Sequence, residues 1–209
     1  MCCKNGEGGD NNKYSMEKLD NIRELITKFS YLGTKQTANK KALLIGHAPQ
    51  IAPEAWLNCL YKPVSLKEIQ LIEKSIGVSI PDSYKSFLLS FSNGLSILGD
   101  TLSLFGYRSN YSRNNEDVWQ PYDIITLNLY EKPHNATLNE FLIGKYEWDA
   151  SSLYINKEDE ICYCKSDDIL PLKKWNSLSD MLYEELTRLY ELVSENGLFI
   201  DTDCKTTPA

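Results

Sequence analysis

The sequence predicts an α+β fold: a helical hairpin, then a mostly antiparallel sheet, and a C-terminal helix packed on that sheet. Apolar residues recur at steps of three and four between residues 65 and 91, and again between residues 178 and 193, which is the spacing of amphipathic helices. Between these regions, short segments alternate apolar and polar residues, as half-buried strands do. There is no repeated strand–helix–strand pattern, so a parallel α/β arrangement is disfavoured.

The first 62 residues divide into two predicted parts. Residues 1–14 are a predicted disordered lead-in without the hydrophobic stretch of a secretory signal, which favours a cytoplasmic protein. Residues 15–62 are a predicted N-terminal helical extension. Its first helix begins at the N-cap Ser15 and ends near Gly33, and a second, short helix spans residues 53–60 with Pro53 in its first turn.

A helical hairpin opens the predicted domain at residues 63–195. Ser65 and Glu68 have the spacing of a capping box at the start of its first helix, and Gly77 ends that helix. Pro81 starts the second helix, which the Asn-Gly pair at 93–94 ends. Two short helices joined by a tight elbow are therefore expected.

Strands and a long terminal helix follow the hairpin. The predicted strands lie within residues 100–106, 141–144, 153–155 and 160–164, and the last two form a hairpin. Residues 124–130 fit either a strand or a helix, since their composition is β-rich but Asp123 can cap a helix. The terminal helix spans residues 179–194, and residues 196–209 are a C-terminal tail whose last six residues are expected to be loose.

The charge of the chain is unevenly distributed. The 209 residues carry a net charge of −7, of which residues 63–195 contribute −9, residues 1–62 contribute +3 and residues 196–209 contribute −1. This balance disfavours direct binding to nucleic acid, which requires a basic surface. The acidity is explained either by solubility or by a basic partner. No stretch is long and apolar enough to predict a membrane span.

The sequence lacks several common motifs of nucleotide-binding, hydrolytic and zinc sites. It contains no Gly-x-Gly-x-x-Gly, phosphate-loop, Gly-x-Ser-x-Gly or His-Glu-x-x-His pattern. His47 and His134 are far apart, and Cys162 and Cys164, which share one face of a strand, fit free thiols better than metal ligands. We therefore expect a protein that is not an enzyme and has no catalytic residue, metal or cofactor.

An acidic rim around one tryptophan is the candidate surface for binding a partner protein. It consists of Glu147, Trp148, Asp149, Glu158, Asp159 and Glu160. An aromatic side chain flanked by carboxylates can anchor a basic partner. The alternative is that Trp148 packs over its own hairpin.

Residues 64–94 resemble the opening of the SUKH superfamily, which contains fungal cell-wall-assembly regulators and bacterial immunity proteins. The matching positions, in a capped helix, a Gly-x-x-Ile-Pro elbow, an aromatic-rich helix and Asn-Gly, are Ile69, Glu73, Gly77, Ile80, Pro81, Tyr84, Phe87, Asn93 and Gly94. Residues 141–144, 149, 153–155 and 175–178 resemble later family elements, so the resemblance covers about residues 63–195. Residues 148–152 depart from it, because family members often have a Gly-rich stretch there.

The resemblance implies binding rather than catalysis. Many bacterial members resemble antidotes that cover the active site of a cognate toxin, often a nuclease, and nuclease toxins are commonly basic. The acidic block at 63–195 is the complementary charge. Two alternatives stay open: a regulatory or scaffold module that docks through residues 15–32, and an enzyme, which would need a cleft of converging titratable groups. The sequence does not indicate an oligomeric state.

Overall fold

Nine antiparallel strands form one sheet in which each strand pairs with its neighbours in sequence. The computed structural model describes residues 19–112 and 117–208. The strands are β1 Thr34–Gln36, β2 Ala42–His47, β3 Trp56–Tyr61, β4 Leu95–Ile97, β5 Leu102–Leu104, β6 Phe141–Tyr146, β7 Ser152–Ile155, β8 Ile161–Cys164 and β9 Lys173–Trp175. The described helices are α1 (residues 19–26), α2 Leu66–Ile76, α3 Asp82–Ser90, α4 Ile124–Tyr130 and α5 Leu178–Glu191, with a 3-10 helix at Lys28–Leu32. The predicted α+β class is confirmed, and three strands precede the helical hairpin.

The helical hairpin forms as predicted at its start and its elbow. The Ser65 hydroxyl accepts from the backbone N–H of Glu68, and the Glu68 carboxylate accepts from the N–H of Ser65, which completes the capping box. Gly77 ends α2 with a left-handed φ of 80°. The second helix, α3, ends at Ser90, before the predicted stop at residues 93–94. The chain leaves the helix early because the Ser92 hydroxyl bonds to the backbone of Tyr61 in β3.

The helix predicted at residues 53–60 is wrong, because this segment contains strand β3. It pairs with β2 on one side and with β4 on the other. These partners are distant in sequence, so a local pattern does not reveal them. The description of residues 15–62 as a helical extension is therefore wrong for residues 34–62, which supply three strands. Ser15 and the predicted lead-in at 1–14 lie outside the described residues.

The hydrophobic core continues across the predicted domain boundary at residue 63. One cluster of buried side chains joins Ile22 and Leu57, before the boundary, to Ile72 and Leu186 after it. That residue 63 marks a boundary between two domains stays a prediction. In the folded chain, the N-terminal strands and the later elements share one sheet and one core.

The ambiguous segment at residues 124–130 is the helix α4. Asp123 caps it by accepting hydrogen bonds from the backbone N–H groups of Ile125 and Thr126. Within this helix, Asn128 bonds through its side-chain amide to both the N–H and the C=O of Leu142 in β6. The Asn128 amide thus takes the place of a backbone hydrogen-bond partner for β6, beyond the end of the short strand β5. The predicted strands at 100–106, 141–144, 153–155 and 160–164 are confirmed, and the last two pair as a hairpin.

One face of the sheet packs against α1 and α5, and we call it the helical face. From β3, Asn58 donates to the backbone carbonyl of Ile26 in α1 and to the hydroxyl of Tyr190 in α5. From β6, Tyr146 donates to the carboxylate of Glu185 in α5. Side chains on the helical face therefore fix both helices, and the opposite face remains for other contacts.

The C-terminal tail is more ordered than predicted. Thr206 and Thr207 are buried, and the Arg188 guanidinium donates to the Thr206 carbonyl over 2.7 Å. Gly197 lies so close to Leu57 that an added Cβ would overlap with its side chain. The expectation of a loose end is wrong for Thr206 and Thr207, which are buried and held against α5, a helix distant in sequence, through Arg188.

Replacing Glu73 with glutamine should lower the free energy of unfolding by about 1 kcal/mol at pH 7. The Glu73 carboxylate accepts from Lys85 over 2.8 Å and from the backbone N–H of Ile80 over 3.1 Å, so it ties α2 to the elbow and α3. The Lys85 hydrogen bond, together with that of Ile80, lowers the pKa of Glu73. The glutamine keeps an acceptor for Ile80 but loses the ion pair.

This contribution should depend on pH in one direction. Because the pKa of Glu73 is lowered on folding, its stabilisation is complete above the ordinary value near 4.5 and is lost as the pH falls through the lowered value. Urea unfolding of both proteins at pH 7 and at low pH measures it. An equal difference in the free energy of unfolding between the two proteins at both pH values would contradict this account.

Candidate functional site

The sheet face opposite the helical face carries a row of small and polar residues, and we call it the open face. The strand register places these residues side by side across six strands: Cys59, Ser96, Ser103, Lys145, Ser152 and Cys164. Small side chains leave room above a sheet. This face can therefore hold a cleft where no other segment covers it.

Two groups of loops cover the ends of the open face. At one end, Trp119 packs against the buried side chains of Leu44 and Cys59. At the other end, Tyr154 donates to the carbonyl of Ile169, and Asn135 accepts from the N–H of the same residue. A gap between the two covers is left above β5 and β6.

This gap is a cleft of about 290 Å³, which we call the central cleft. It is lined by Asp100, Ser103, Phe105, Tyr122, Glu131, Lys145, Tyr146, Glu147 and Ala150. Three of these side chains are carboxylates and one is an amine. The lining thus combines acidic groups with aromatic rings.

Asp100 enters the cleft from a strained turn between β4 and β5. Leu98, Gly99 and Asp100 all have positive φ angles, of 49°, 63° and 74°. Such angles are costly for residues other than glycine and persist where the surrounding structure enforces them. The Asp100 carboxylate is held by the hydroxyls of Ser96 and Ser103 on one oxygen and of Tyr122 on the other. The turn and these three donors fix its position.

Tyr122 forms an aromatic wall of the cleft. Its ring stacks on Phe105, with centroids 5.2 Å apart, and 47% of its surface stays exposed. Burial and the nearby carboxylate of Asp100 raise the pKa of Tyr122 to about 12, and Glu147 adds to the shift. The hydroxyl is therefore protonated at neutral pH and can donate to Asp100.

The cleft has excess negative charge. Lys145 pairs with Glu131 over 2.6 Å, which neutralises one of the three carboxylates. Among the described residues, neither Asp100 nor Glu147 has a cationic partner within ion-pair distance. Two carboxylates without counter-charges therefore border a half-exposed aromatic ring.

The six predicted partner-binding residues do not form one rim. Glu147, Trp148 and Asp149 lie in the turn before β7, whereas residues 158–160 lie in the turn after it. The two turns are thus at opposite ends of a four-residue strand, separated by roughly 13 Å. Only the first turn reaches the central cleft, through Glu147. Within it, Asp149 accepts from the N–H of Ser151 and shapes the turn.

The second acidic turn is engaged within the chain. Glu160 pairs with Lys174 over 2.8 Å and Glu158 with Lys157 over 3.5 Å, while Asp159 accepts from the Ser83 hydroxyl over 2.7 Å. The Lys174 hydrogen bond lowers the pKa of Glu160. These carboxylates carry less uncompensated charge than the sequence pattern suggests.

Trp148 is half exposed, at 48% of its surface, and lies between the cleft and the C-terminal tail. Together with Glu147, it lines a second cleft of about 200 Å³ that also includes Phe199 and Thr206 from the tail. Its environment is therefore formed partly by a segment distant in sequence. The exposed half of the ring remains accessible to a partner.

Sequence reasoning missed Asp100, Tyr122 and Glu131 as cleft residues. They are distant in sequence: Asp100 lies in the turn between β4 and β5, Tyr122 is placed by the bridge between Gly106 and Asp123, and Glu131 caps the end of α4. The signal that was present is the pair of turn-forming residues Gly99 and Asp100 before a short alternating strand. That signal predicts a hairpin, not a binding cleft.

The cysteines and histidines of the described residues form no metal site and contain no activated thiol. Burial raises the pKa of Cys162 and raises that of Cys164 to about 12, which keeps both thiols protonated. In the part of the chain that the structure describes, no three His, Cys, Asp or Glu side chains converge as metal ligands would. The ring of His47 is tilted against that of Trp56, with centroids 4.9 Å apart, and its Nε2 lies 3.1 Å from the carbonyl oxygen of Pro53. Cys2 and Cys3 lie outside the described residues.

Comparison with protein families places the larger part of the chain in a known family. The family model described as SMI1 / KNR4 family (SUKH-1) matches residues 63–184, which is more than half of the chain. A search of curated protein sequences found no significant match. No helix within the described ranges combines the length and apolar character needed to cross a membrane.

Proposed function

The chain belongs to the SMI1 / KNR4 family (SUKH-1), and from this premise we propose that it is an immunity protein. It binds a cognate toxin domain in the cytoplasm and neutralises it by covering its active site. The partner is a basic protein, most simply a nuclease domain, and the action is binding rather than catalysis.

The observation that carries this proposal is the uncompensated negative charge at the central cleft. Asp100 and Glu147 have no cationic partner among the described residues, and Trp148 is half exposed beside them. A nuclease domain carries positive charge because it binds phosphates. Complementary charge accelerates encounter and selects the partner, while an aromatic anchor adds affinity.

The turn at residues 147–149 is the proposed centre of the contact. Residues 158–160 remain proposed contacts as well, but their internal ion pairs reduce what they can contribute. The effect of a charge change in the turn before β7 can thus be compared with that of the same change in the turn after it. A larger effect in the first turn indicates a specific site, whereas equal effects indicate a general attraction to an acidic surface.

Growth rescue with the adjacent toxin gene tests the proposed function. A toxin domain encoded beside this chain is expressed alone and together with it. Co-expression should restore growth, and the chain should co-purify with an inactive toxin variant. Unchanged toxicity, or the absence of an adjacent toxin gene, would overturn the proposal.

The alternative, a regulatory or scaffold module without a toxin partner, has no specific structural observation in its favour. In that version the N-terminal helix would be an independent docking element. Here Ile22 and Ile26 of α1 are buried in the common core. Their burial leaves them unavailable for docking.

A further inference from the structure

The central cleft is large enough for one side chain of a partner. Its volume of about 290 Å³ lies at the lower limit of the roughly 300–1,000 Å³ of small-molecule sites. It is on the open face and is lined by the half-exposed ring of Tyr122. A protruding residue of a bound protein can therefore enter it.

The charge of the lining selects a cation. Lys145 is occupied by Glu131, so it does not offset Asp100 or Glu147. An anionic or apolar occupant would remove these two carboxylates from water without supplying a counter-charge, which is costly. A cationic side chain would pair with both.

The aromatic wall favours arginine over lysine. A guanidinium is planar, stacks on aromatic rings and presents several donors in a fixed geometry, whereas an ammonium is compact and more strongly hydrated. The Tyr122 ring is covered by Phe105 on one side and is half exposed overall. Two carboxylates next to one accessible ring match the shape of a guanidinium.

We propose that the central cleft receives an arginine side chain of the partner protein, stacked on Tyr122 and paired with Asp100 and Glu147. This inference rests on the proposed function, because it identifies the group by which the toxin is held. It also makes the cleft a specificity site, since a toxin without an arginine at this position would leave the two carboxylates unpaired.

Titration of the full chain with short peptides tests the cleft without the toxin. The probes are acetyl-Gly-Arg-Gly-amide and the same peptide with citrulline, which has nearly the same shape but no charge. Amide NMR shifts of residues 98–103 and 122–123 should change saturably with the arginine peptide, with a dissociation constant on the order of 1 mM. The citrulline peptide should bind at least about tenfold more weakly, because it lacks the charge.

Variants provide the matched controls. Asp100→Asn and Glu147→Gln should each weaken arginine-peptide binding about tenfold, whereas Glu24→Gln, at an exposed position of α1, should leave it unchanged. Glu147→Gln keeps the test valid if Asp100→Asn disturbs its turn. Equal binding of the two peptides, shifts confined to another surface, or an equal effect of Glu24→Gln would overturn the arginine site.

Failure of this inference can be told apart from failure of the proposed function. If the toxin is neutralised but the arginine peptide does not bind the cleft, the arginine anchor is wrong and the immunity function stands. If the peptide binds the cleft but no adjacent toxin is neutralised, the cleft is a cation site and the proposed function is wrong.

Discussion

Replacing Glu185 with alanine should lower the free energy of unfolding by about 3–5 kcal/mol. Its side chain is fully buried and accepts from the Tyr146 hydroxyl over 2.8 Å and from the Arg188 guanidinium over 2.6 Å. Removing the carboxylate leaves Arg188, which is largely buried, without its counter-charge. Since Arg188 also holds the carbonyl of Thr206, the C-terminal tail should loosen too.

Glu184→Ala is the matched control for this prediction. Glu184 is adjacent in α5 and also forms an ion pair, with Lys173 over 2.6 Å, but half of its side chain is exposed. Because it also accepts from the indole N–H of Trp175 over 3.0 Å, its removal should cost about 1–2 kcal/mol. Chemical denaturation compares the two variants, and limited proteolysis reports on the tail. Similar losses for both variants would contradict the account of the buried pair.

Replacing Gly94 with alanine should cost about 3 kcal/mol or more. Gly94 has a φ of 83°, and an added Cβ would lie 2.6 Å from the Leu104 carbonyl oxygen and 3.0 Å from Pro121 Cβ. The cost thus has two sources, a backbone conformation that alanine rarely adopts and a clash with the backbone of β5. The measurement is the midpoint and slope of urea unfolding.

The variant Gly77→Ala measures the conformational cost without the clash. The φ of Gly77, 80°, is nearly the same, but an added Cβ would meet nothing within 4 Å. Gly77→Ala should therefore cost only about 1 kcal/mol, the conformational part alone. If the two alanine variants lose the same stability, the close approach of β4 and β5 at Gly94 is not a constraint.

Local signals predicted the local structure well. The capping box at Ser65, the left-handed glycine at position 77 and the cap at Asp123 act within one or two helical turns. Each satisfies backbone groups that the helix itself leaves free. For this reason the helical hairpin and the possibility of a helix at 124–130 could be inferred from sequence alone.

The features that the sequence did not reveal depend on contacts between segments that are distant in sequence. Strand β3 has an apolar pattern that also suits a helix, and only its pairing with β2 and β4 decides between them. The same holds for the central cleft, whose carboxylates Asp100, Glu131 and Glu147 come from three separate segments. Of the predicted contact residues, only Glu147 lines it.

The fold also determines which experiments are informative. Deleting residues 1–62 would separate a docking extension from the binding domain only if these residues formed an independent unit. It would instead remove three strands and expose the edge of β4 together with core residues such as Leu95. Loss of binding in that variant would report unfolding, so single charge reversals on the surface are the better test.

The most direct test of the central claim is the affinity of the full chain for the adjacent toxin domain, measured calorimetrically for three proteins. These are the wild type, Glu147→Lys at the central cleft and Glu158→Lys in the distal turn. We expect a salt-sensitive complex that Glu147→Lys weakens at least about tenfold and that Glu158→Lys weakens clearly less, because the carboxylate of Glu158 already pairs with Lys157. No complex with the toxin domain, or equal effects of the two reversals, would contradict the account.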